Sequence, residues 1–380
     1  MQNLPLNTKL SVFYQQTYQF KQVTKAQQME KNGTVDTRIT RYEPIQSPHQ
    51  VHLDVPRTEQ AYATVINGRR TIENILDRKD PRKFIVVGPC SIHDPYMAAD
   101  YAGRLKSLAD QVAERFFLVM RTYFEKPRTT TGWAGLQNDP DMDGSFDINK
   151  GLHEARKILL YNATLGVPSG TEYLDTMSPQ YTSDLISWAA IGARTTESQQ
   201  HRNLVSGLSM PAGFKNGTHG HVDVAVNAIL RARGPHSFFG INPYGVFSQI
   251  NTAGNPYSHI ILRGGDEPNY DEENVREVQA RLARKGLQDS IVIDCSHGNS
   301  SKDYTRQPQV FEEVIRQIRN GNSGIVGIML ESNLEQGSQP IPADLSGFDK
   351  SSLNYGVSVT DACISWDTTS RIILEAFRSL

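Results

Sequence analysis

Four residues far apart in this chain, Cys90, His297, Glu331 and Asp361, are of types that hold divalent metal ions. They lie in Gly88-Pro-Cys-Ser-Ile-His-Asp94, Asp294-Cys-Ser-His-Gly298, Leu330-Glu-Ser-Asn333 and Val359-Thr-Asp-Ala-Cys363. A thiolate, an imidazole and two carboxylates make a mixed soft and hard donor set. It suits Mn2+, Fe2+, Co2+ or Zn2+ better than Mg2+ or Ca2+. Taken singly, each residue has an ordinary reading as a buried thiol, a satisfied histidine or an ion-paired acid. No short-spaced motif of the H-E-x-x-H type is present. The metal reading therefore depends on a fold that brings the four together.

A second group is cationic: Arg121, Arg194, Lys215 and Arg263, with Lys126 and Arg128 close behind Arg121. Like charges gathered in one cleft repel and are costly to desolvate, so the set implies an anionic ligand. Arginine forks match the flat geometry of carboxylate and phosphate. Six cations exceed what one monophosphate needs; they suit a substrate bearing phosphate and carboxylate, or two anionic substrates held together. Thr129-Thr-Thr-Gly132 adds hydroxyls and backbone N–H groups that can grip a phosphate. A metal beside such a pocket points to Lewis-acid polarisation of a carbonyl, in a condensation or aldol-type reaction.

Both groups require a scaffold that collects distant positions at one place. Eight short apolar runs, at 84–88, 116–120, 167–173, 188–193, 210–214, 260–262, 291–293 and 325–330, recur with amphipathic stretches between most of them. The stretches at 98–112, 152–165, 179–188, 222–233, 272–285 and 310–318 read as helices, as does 58–80 ahead of the first run. Continuous apolar strands alternating with helices indicate a parallel sheet covered on both faces. Eight such units predict a closed (β/α)8 TIM barrel, and no G-x-G-x-x-G follows the first strand to suggest a dinucleotide fold. In a barrel the active site is built at the C-terminal strand ends. The residues at those ends are Cys90, Arg121, Glu172, Arg194, Lys215, Arg263, His297 and Glu331. Asp361 lies past the last strand, in a loop long enough to fold back over the mouth. His93 and Asp94, early in the first helix, are expected to cap it. The loop at 122–150 is long, and a hairpin-like insertion at 238–257 precedes the sixth strand. The domain plan is an N-terminal arm at 1–57 and a catalytic barrel at 58–380. The Gln-rich first 35 residues read as a tail or short helix outside the core.

With 39 basic and 41 acidic residues the chain carries a net charge of −2, which argues against a nucleic-acid or membrane-surface partner. No apolar run nears the ~20 residues of a membrane span, and no signal peptide is evident. Three scattered cysteines exclude a disulfide framework. A cytoplasmic protein is expected.

Long blocks of this sequence resemble the type I 3-deoxy-D-arabino-heptulosonate 7-phosphate (DAHP) synthases. The blocks are Gly88-Pro-Cys-Ser-Ile-His-Asp94, Arg121-Thr-Tyr-Phe-Glu-Lys-Pro-Arg-Thr129, Gly192-Ala-Arg-Thr-Thr-Glu-Ser198, Gly213-Phe-Lys-Asn-Gly-Thr218, Leu262-Arg-Gly-Gly265, Asp294-Cys-Ser-His-Gly-Asn299 and Ser358-Val-Thr-Asp-Ala-Cys363. They occur in order from about Asp36 to the C-terminus. The resemblance implies a transferase that condenses phosphoenolpyruvate with erythrose 4-phosphate, the first step of the shikimate pathway to the aromatic amino acids. It assigns the metal to Cys90, His297, Glu331 and Asp361. Phosphoenolpyruvate falls to Arg121, Lys126, Arg194, Lys215 and Arg263, and erythrose 4-phosphate to Arg128 and Thr129. Cys90, His297 and Lys126 are implied to be catalytic, Lys126 as a proton donor. A homodimer or homotetramer is implied. So is an aromatic amino acid effector, bound near Asp36, Pro179, Gln180, Ser209, Phe238 and Gly240. Here the hairpin has Pro243 where the family often has Lys. Gly254-Asn-Pro-Tyr257 is similar to tryptophan-sensitive members and Gly240 to tyrosine-sensitive ones, leaving the effector open. The rival readings are 3-deoxy-D-manno-octulosonate 8-phosphate synthase, disfavoured by Lys126-Pro-Arg-Thr129, and a non-catalytic regulatory barrel.

Overall fold

The computed structural model describes residues 33–128 and 132–380. Residues 47–380 form one compact unit, and those before Ser47 belong to a separate one. In that earlier unit Asp36 has a left-handed backbone (φ 56°) and its carbonyl accepts the Ile39 N–H at 3.1 Å. The expected N-terminal tail or short helix lies, up to residue 32, outside the described residues.

Eight parallel strands close into the barrel expected from the alternating pattern. They are β1 (Lys83–Gly88), β2 (Phe116–Arg121), β3 (Ser169–Glu172), β4 (Trp188–Ile191), β5 (Ala212–Lys215), β8 (Ser258–Leu262), β9 (Ile291–Asp294) and β10 (Ile325–Glu331), with β10 pairing back onto β1. The hairpin β6 (Ser237–Ile241) and β7 (Phe247–Asn251) stands apart as a two-stranded antiparallel sheet ahead of the sixth barrel strand.

Strand periodicity sorts the side chains into two cores. Phe84, Val86, Val119, Trp188, Ala190, Ile261, Val292, Val326 and Met329 pack together in one cluster. Their neighbours in sequence, among them Ile85, Val87, Leu118, Ala189, Ile260, Ile291 and Leu330, pack in the larger cluster with helix residues such as Tyr101, Leu105 and Val314. This is how a barrel interior differs from its outer, helix-covered face. In the first cluster the Trp188 Nε1–H donates to His259 Nε2 at 3.1 Å, which leaves His259 Nδ1–H to donate to the Tyr257 carbonyl at 3.0 Å.

The helices start where capping chemistry places them. Thr58 caps Glu59–Leu76, Asp94 caps Pro95–Val112, Asp147 caps Ile148–Leu165 and Asp271 caps Glu272–Arg284. His93, expected to share in capping, does not: it is 3% exposed and its Nδ1 has no hydrogen-bond partner among the described residues. The helix expected over 179–188 is also shorter. One α-turn, Pro179–Thr182, passes into a 3-10 turn, Ser183–Leu185, because β4 already begins at Trp188. Three helices lie outside those read from the sequence: Pro48–Asp54 and Gln199–Val205, each only seven residues long, and Trp366–Ser379, which follows the last strand. Among the described residues no helix is long and apolar enough to cross a membrane.

Candidate active site

A cavity of about 550 Å3 opens at the C-terminal ends of the barrel strands. Arg121, Lys126, Arg128, Arg194, Lys215, Arg263, His297, Glu331 and Asp361 all line it. Cys90 adjoins it as the hydrogen-bond partner of Lys126. Thr129, the remaining substrate-binding expectation, lies outside the described residues.

The donor cluster forms between β1, β10 and the loop after β10. Ligand atoms of Cys90, Glu331 and Asp361 all lie within 4.8 Å of one another. His297 stands beside this trio, not inside it: its Nε2 is 3.8 Å from Glu331. Its ring is held from the other side, where Nδ1 meets Asp294 Oδ2 at 2.9 Å and Ser296 Oγ at 2.8 Å. His297 also adopts a left-handed backbone (φ 57°), as do Ser301 and Lys302 in the same loop. Such strain in non-glycine residues persists only where the surroundings over-determine it, and it concentrates at functional sites.

Lys126 links the donor cluster to the cationic basin. Its ammonium is 2.7 Å from Cys90 Sγ and 2.9 Å from Asp361 Oδ2. Burial works against this charge, but Cys90, Glu331 and Asp361 more than offset it and hold the ammonium well above the ordinary lysine range. Burial pushes the Cys90 thiol up to about 11, with Glu331 and Asp361 adding to the rise and Lys126 opposing it. For Asp361, burial alone would raise the carboxyl; Lys126 reverses that and holds it well below the usual carboxylate range. Its side chain is 61% exposed overall, so the pairing acts through the one oxygen turned toward Lys126.

The basin is less starkly positive than the strand ends suggest. Arg121, 1% exposed, pairs with Glu331 at 2.8 Å and donates to the Pro89 and Cys90 carbonyls. Lys215 pairs with Asp294 at 3.3 Å and lies 3.8 Å from Glu172. Carboxylates from other strands thus already offset part of the desolvation of these two cations. Arg194 and Arg128 are exposed at the rim, and Arg263 is partly buried. Burial lowers the Arg263 guanidinium, with Asp294 acting against that and Arg194 reinforcing it. Gly132 shapes the rim: a Cβ there would come within 2.7 Å of Arg128 Nη2, so glycine leaves room for that guanidinium.

Sequence reading missed three members of this site. Glu172 was noted only as a strand end, and Asp294 and Tyr123 were given no role. Their signal is the same, a polar residue ending a buried strand or starting the loop after it. Lys215, the partner of Glu172 and Asp294, sits on a strand distant in sequence from both, whereas Tyr123 packs on Arg121 two residues before it.

Behind the β2 loop, Glu125 is buried against Asp175. Burial first, then the Asp175 charge and hydrogen bond, raise its carboxyl to about 8. The folded chain thus keeps a proton at neutral pH that the unfolded chain, with an ordinary glutamate near 4.5, has released. This contribution to stability is fully present below about pH 4.5. It is lost as pH rises to about 8, with a limiting slope of about 1.4 kcal/mol per pH unit. Glu125→Gln is expected to flatten the fall in urea-unfolding stability between pH 5.5 and 8; an unchanged slope would show that Glu125 ionises normally.

The residues expected at an effector site gather elsewhere. Pro179, Gln180, Ser209, Phe238 and Gly240 line a separate cavity of about 80 Å3, between the Pro179–Thr182 turn and the hairpin. Asp36 belongs to the unit before Ser47.

A closed eight-stranded barrel, with cations and a thiol–carboxylate cluster at its C-terminal mouth, is the architecture of a barrel enzyme acting on anionic substrates. Comparison with known proteins makes this specific. Residues 55–374 match the model of the DAHP synthetase I family. The Tyr-sensitive phospho-2-dehydro-3-deoxyheptonate aldolase of Escherichia coli K12 is 50% identical over 352 residues, 93% of this chain and 98% of that one. The Phe-sensitive E. coli K12 enzyme is 48% identical, covering 90% of this chain and 95% of its own. A solved structure of phospho-2-dehydro-3-deoxyheptonate aldolase from Francisella tularensis SCHU S4 superposes with a TM-score of 0.86 at 42% identity, covering 90% of this chain and 98% of that one. The chain belongs to the DAHP synthetase I family.

Proposed function

We infer that this chain is a DAHP synthase: it condenses phosphoenolpyruvate, erythrose 4-phosphate and water to DAHP and phosphate, at the head of the shikimate pathway. The observation that carries the reading is the meeting, in one cavity, of an anion-binding cation set with a thiol–carboxylate donor cluster, in a chain of this family.

Arg121, Lys215, Arg263 and Arg194 bind the phosphate and carboxylate of phosphoenolpyruvate, with Lys126 at the boundary of the two substrates. Arg128, with Thr129, binds the phosphate of the sugar. Cys90, Glu331 and Asp361, joined by His297, would hold a divalent ion such as Mn2+, Fe2+, Co2+ or Zn2+, which supplies Lewis-acid polarisation of the aldehyde. The close approach of one sulfur and two carboxylate donors fits a transition ion. Held by its cations, phosphoenolpyruvate presents C3 to the aldehyde carbon, and a new C–C bond forms. The aldehyde oxygen, gaining alkoxide character as that bond forms, takes a proton from Lys126 Nζ and ends as a hydroxyl. Water adds at C2, and phosphate leaves with its bridging oxygen. Catalysis is assigned to residues 58–380, with 1–57 as an appended arm. The cavity lined by Pro179, Gln180, Ser209, Phe238 and Gly240 is assigned to an aromatic amino acid effector, in keeping with the Tyr- and Phe-sensitive relatives.

Arg128→Ala is expected to raise KM for erythrose 4-phosphate by roughly 10- to 100-fold, the loss of a charge-assisted contact. KM for phosphoenolpyruvate should move less than about twofold. Steady-state kinetics with each substrate varied in turn decides it; a selective loss of phosphoenolpyruvate binding would overturn the division of the cations.

A further inference from the structure

Tyr123 follows β2 by two residues, lines the mouth cavity and is 2% exposed. Its ring lies against Arg121, with the guanidinium carbon 3.5 Å from the ring centroid; Lys215 Nζ is 6.0 Å from the same centroid. The Arg121 fork is already tied along its edges, to the Pro89 and Cys90 carbonyls, to Glu331 and to Met329 Sδ. The Tyr123 ring closes the face of the guanidinium. A phenylalanine would supply that face equally well, so the hydroxyl is what needs explaining. It is buried, and it has no hydrogen-bond partner among the described residues. Burying a hydroxyl without a partner is costly and rare in a folded chain. Burial, reinforced by the charges of Glu172, Asp294 and Glu331 against the opposing pull of Arg121, raises the phenol far above its ordinary range. It is therefore an O–H donor at every relevant pH.

A buried donor beside two cations matches an anionic oxygen. We propose that Tyr123 is a binding and positioning residue for phosphoenolpyruvate: its ring fixes the plane of the Arg121 fork, and its hydroxyl donates to an anionic oxygen of the same bound molecule. This rests on the assignment of phosphoenolpyruvate to Arg121 and Lys215. Positioning of this kind has its cost in the free protein, where the hydroxyl has no partner among the described residues, and its benefit only in the complex.

The two states are separable by experiment. Tyr123→Phe keeps the ring and removes the hydroxyl. Titration calorimetry of metal-free protein with phosphoenolpyruvate should show binding weakened about tenfold. The ligand-free variant should melt no lower than the wild type, since removing an unpaired buried hydroxyl removes its penalty. KM for erythrose 4-phosphate should stay within about twofold. Tyr123→Leu, which also frees the Arg121 face, should bind phosphoenolpyruvate more weakly still. A Tyr123→Phe affinity within twofold of wild type overturns the proposal, as does a melting temperature several degrees lower, which would mark the hydroxyl as structural. Wild-type protein that fails to bind phosphoenolpyruvate would remove the underlying site assignment as well, whereas wild-type binding with an unaffected Tyr123→Phe variant removes this proposal alone.

Discussion

Lys126→Met is expected to lower kcat by roughly 10²- to 10⁴-fold, the usual contribution of a positioned proton donor. Methionine roughly keeps the length and apolar stem of lysine and removes only the ammonium. In the wild-type chain that ammonium lies 2.7 Å from the Cys90 thiol and 2.9 Å from the Asp361 carboxylate, with a 9% exposed side chain. Its proton is held firmly because the cluster around it is acidic. It is therefore not released to bulk water, and it is available to an oxygen that becomes strongly basic as the C–C bond forms. The substitution also removes the cation that competes with a metal for Cys90 and Asp361. Metal content should therefore hold or rise as turnover collapses. Steady-state rates at saturating substrates, with metal analysis of the same preparation, separate the two effects. A kcat within about threefold of wild type would remove Lys126 from the proton transfer. Loss of activity together with loss of metal would recast it as a structural support of the donor cluster.

Glu331→Ala should have the second large effect, on stability as well as turnover. Arg121 is 1% exposed, and Glu331 is its carboxylate partner at 2.8 Å. Removing one member of a buried pair strands the other charge in a medium that solvates it poorly, at a cost of about 3–5 kcal/mol. Burial alone would raise the Glu331 carboxyl; His297, Arg121 and Lys126 hold it below its ordinary range, so it is the charged form that the fold uses. Urea unfolding of metal-free protein should show the loss. The Arg121→Leu/Glu331→Leu double variant should recover much of it, because no unpaired charge remains. A double variant less stable than Glu331→Ala would show that packing, not charge pairing, sets the stability here. Turnover should be lost in both, since each lacks a donor-cluster carboxylate.

How much of this was legible in the sequence follows from which contacts are local. Runs such as 84–88 and 325–330 are apolar throughout and rich in Ile and Val, so a strand buried on both faces was readable from them alone. Strand ends then followed, and with them Cys90, Arg121, Lys215, Arg263 and Glu331. What escaped was relation across the barrel. Lys215 on β5 meets Asp294 on β9 with β8 between them in the sheet, and no spacing encodes that meeting. The stacking of Tyr123 on Arg121 is by contrast local, since extended residues two apart share a face; what no spacing encodes is the company of Glu172, Asp294 and Glu331 from other strands. The Trp366–Ser379 helix escaped for a different reason. Its buried positions, Thr369, Ile372, Ile373 and Ala376, do recur at helical spacing, but it follows the last apolar run and so lies outside the strand–helix alternation that pointed to the others.

The condensation itself is tested most directly by following products. Protein stripped of metal and then given Mn2+ is incubated with phosphoenolpyruvate and erythrose 4-phosphate, with parallel reactions lacking one substrate or containing chelator. The account predicts a seven-carbon keto-sugar phosphate and free phosphate in equal amounts, only when both substrates and the metal are present. Phosphate release without erythrose 4-phosphate, or no product with any of Mn2+, Fe2+, Co2+ or Zn2+, would contradict it.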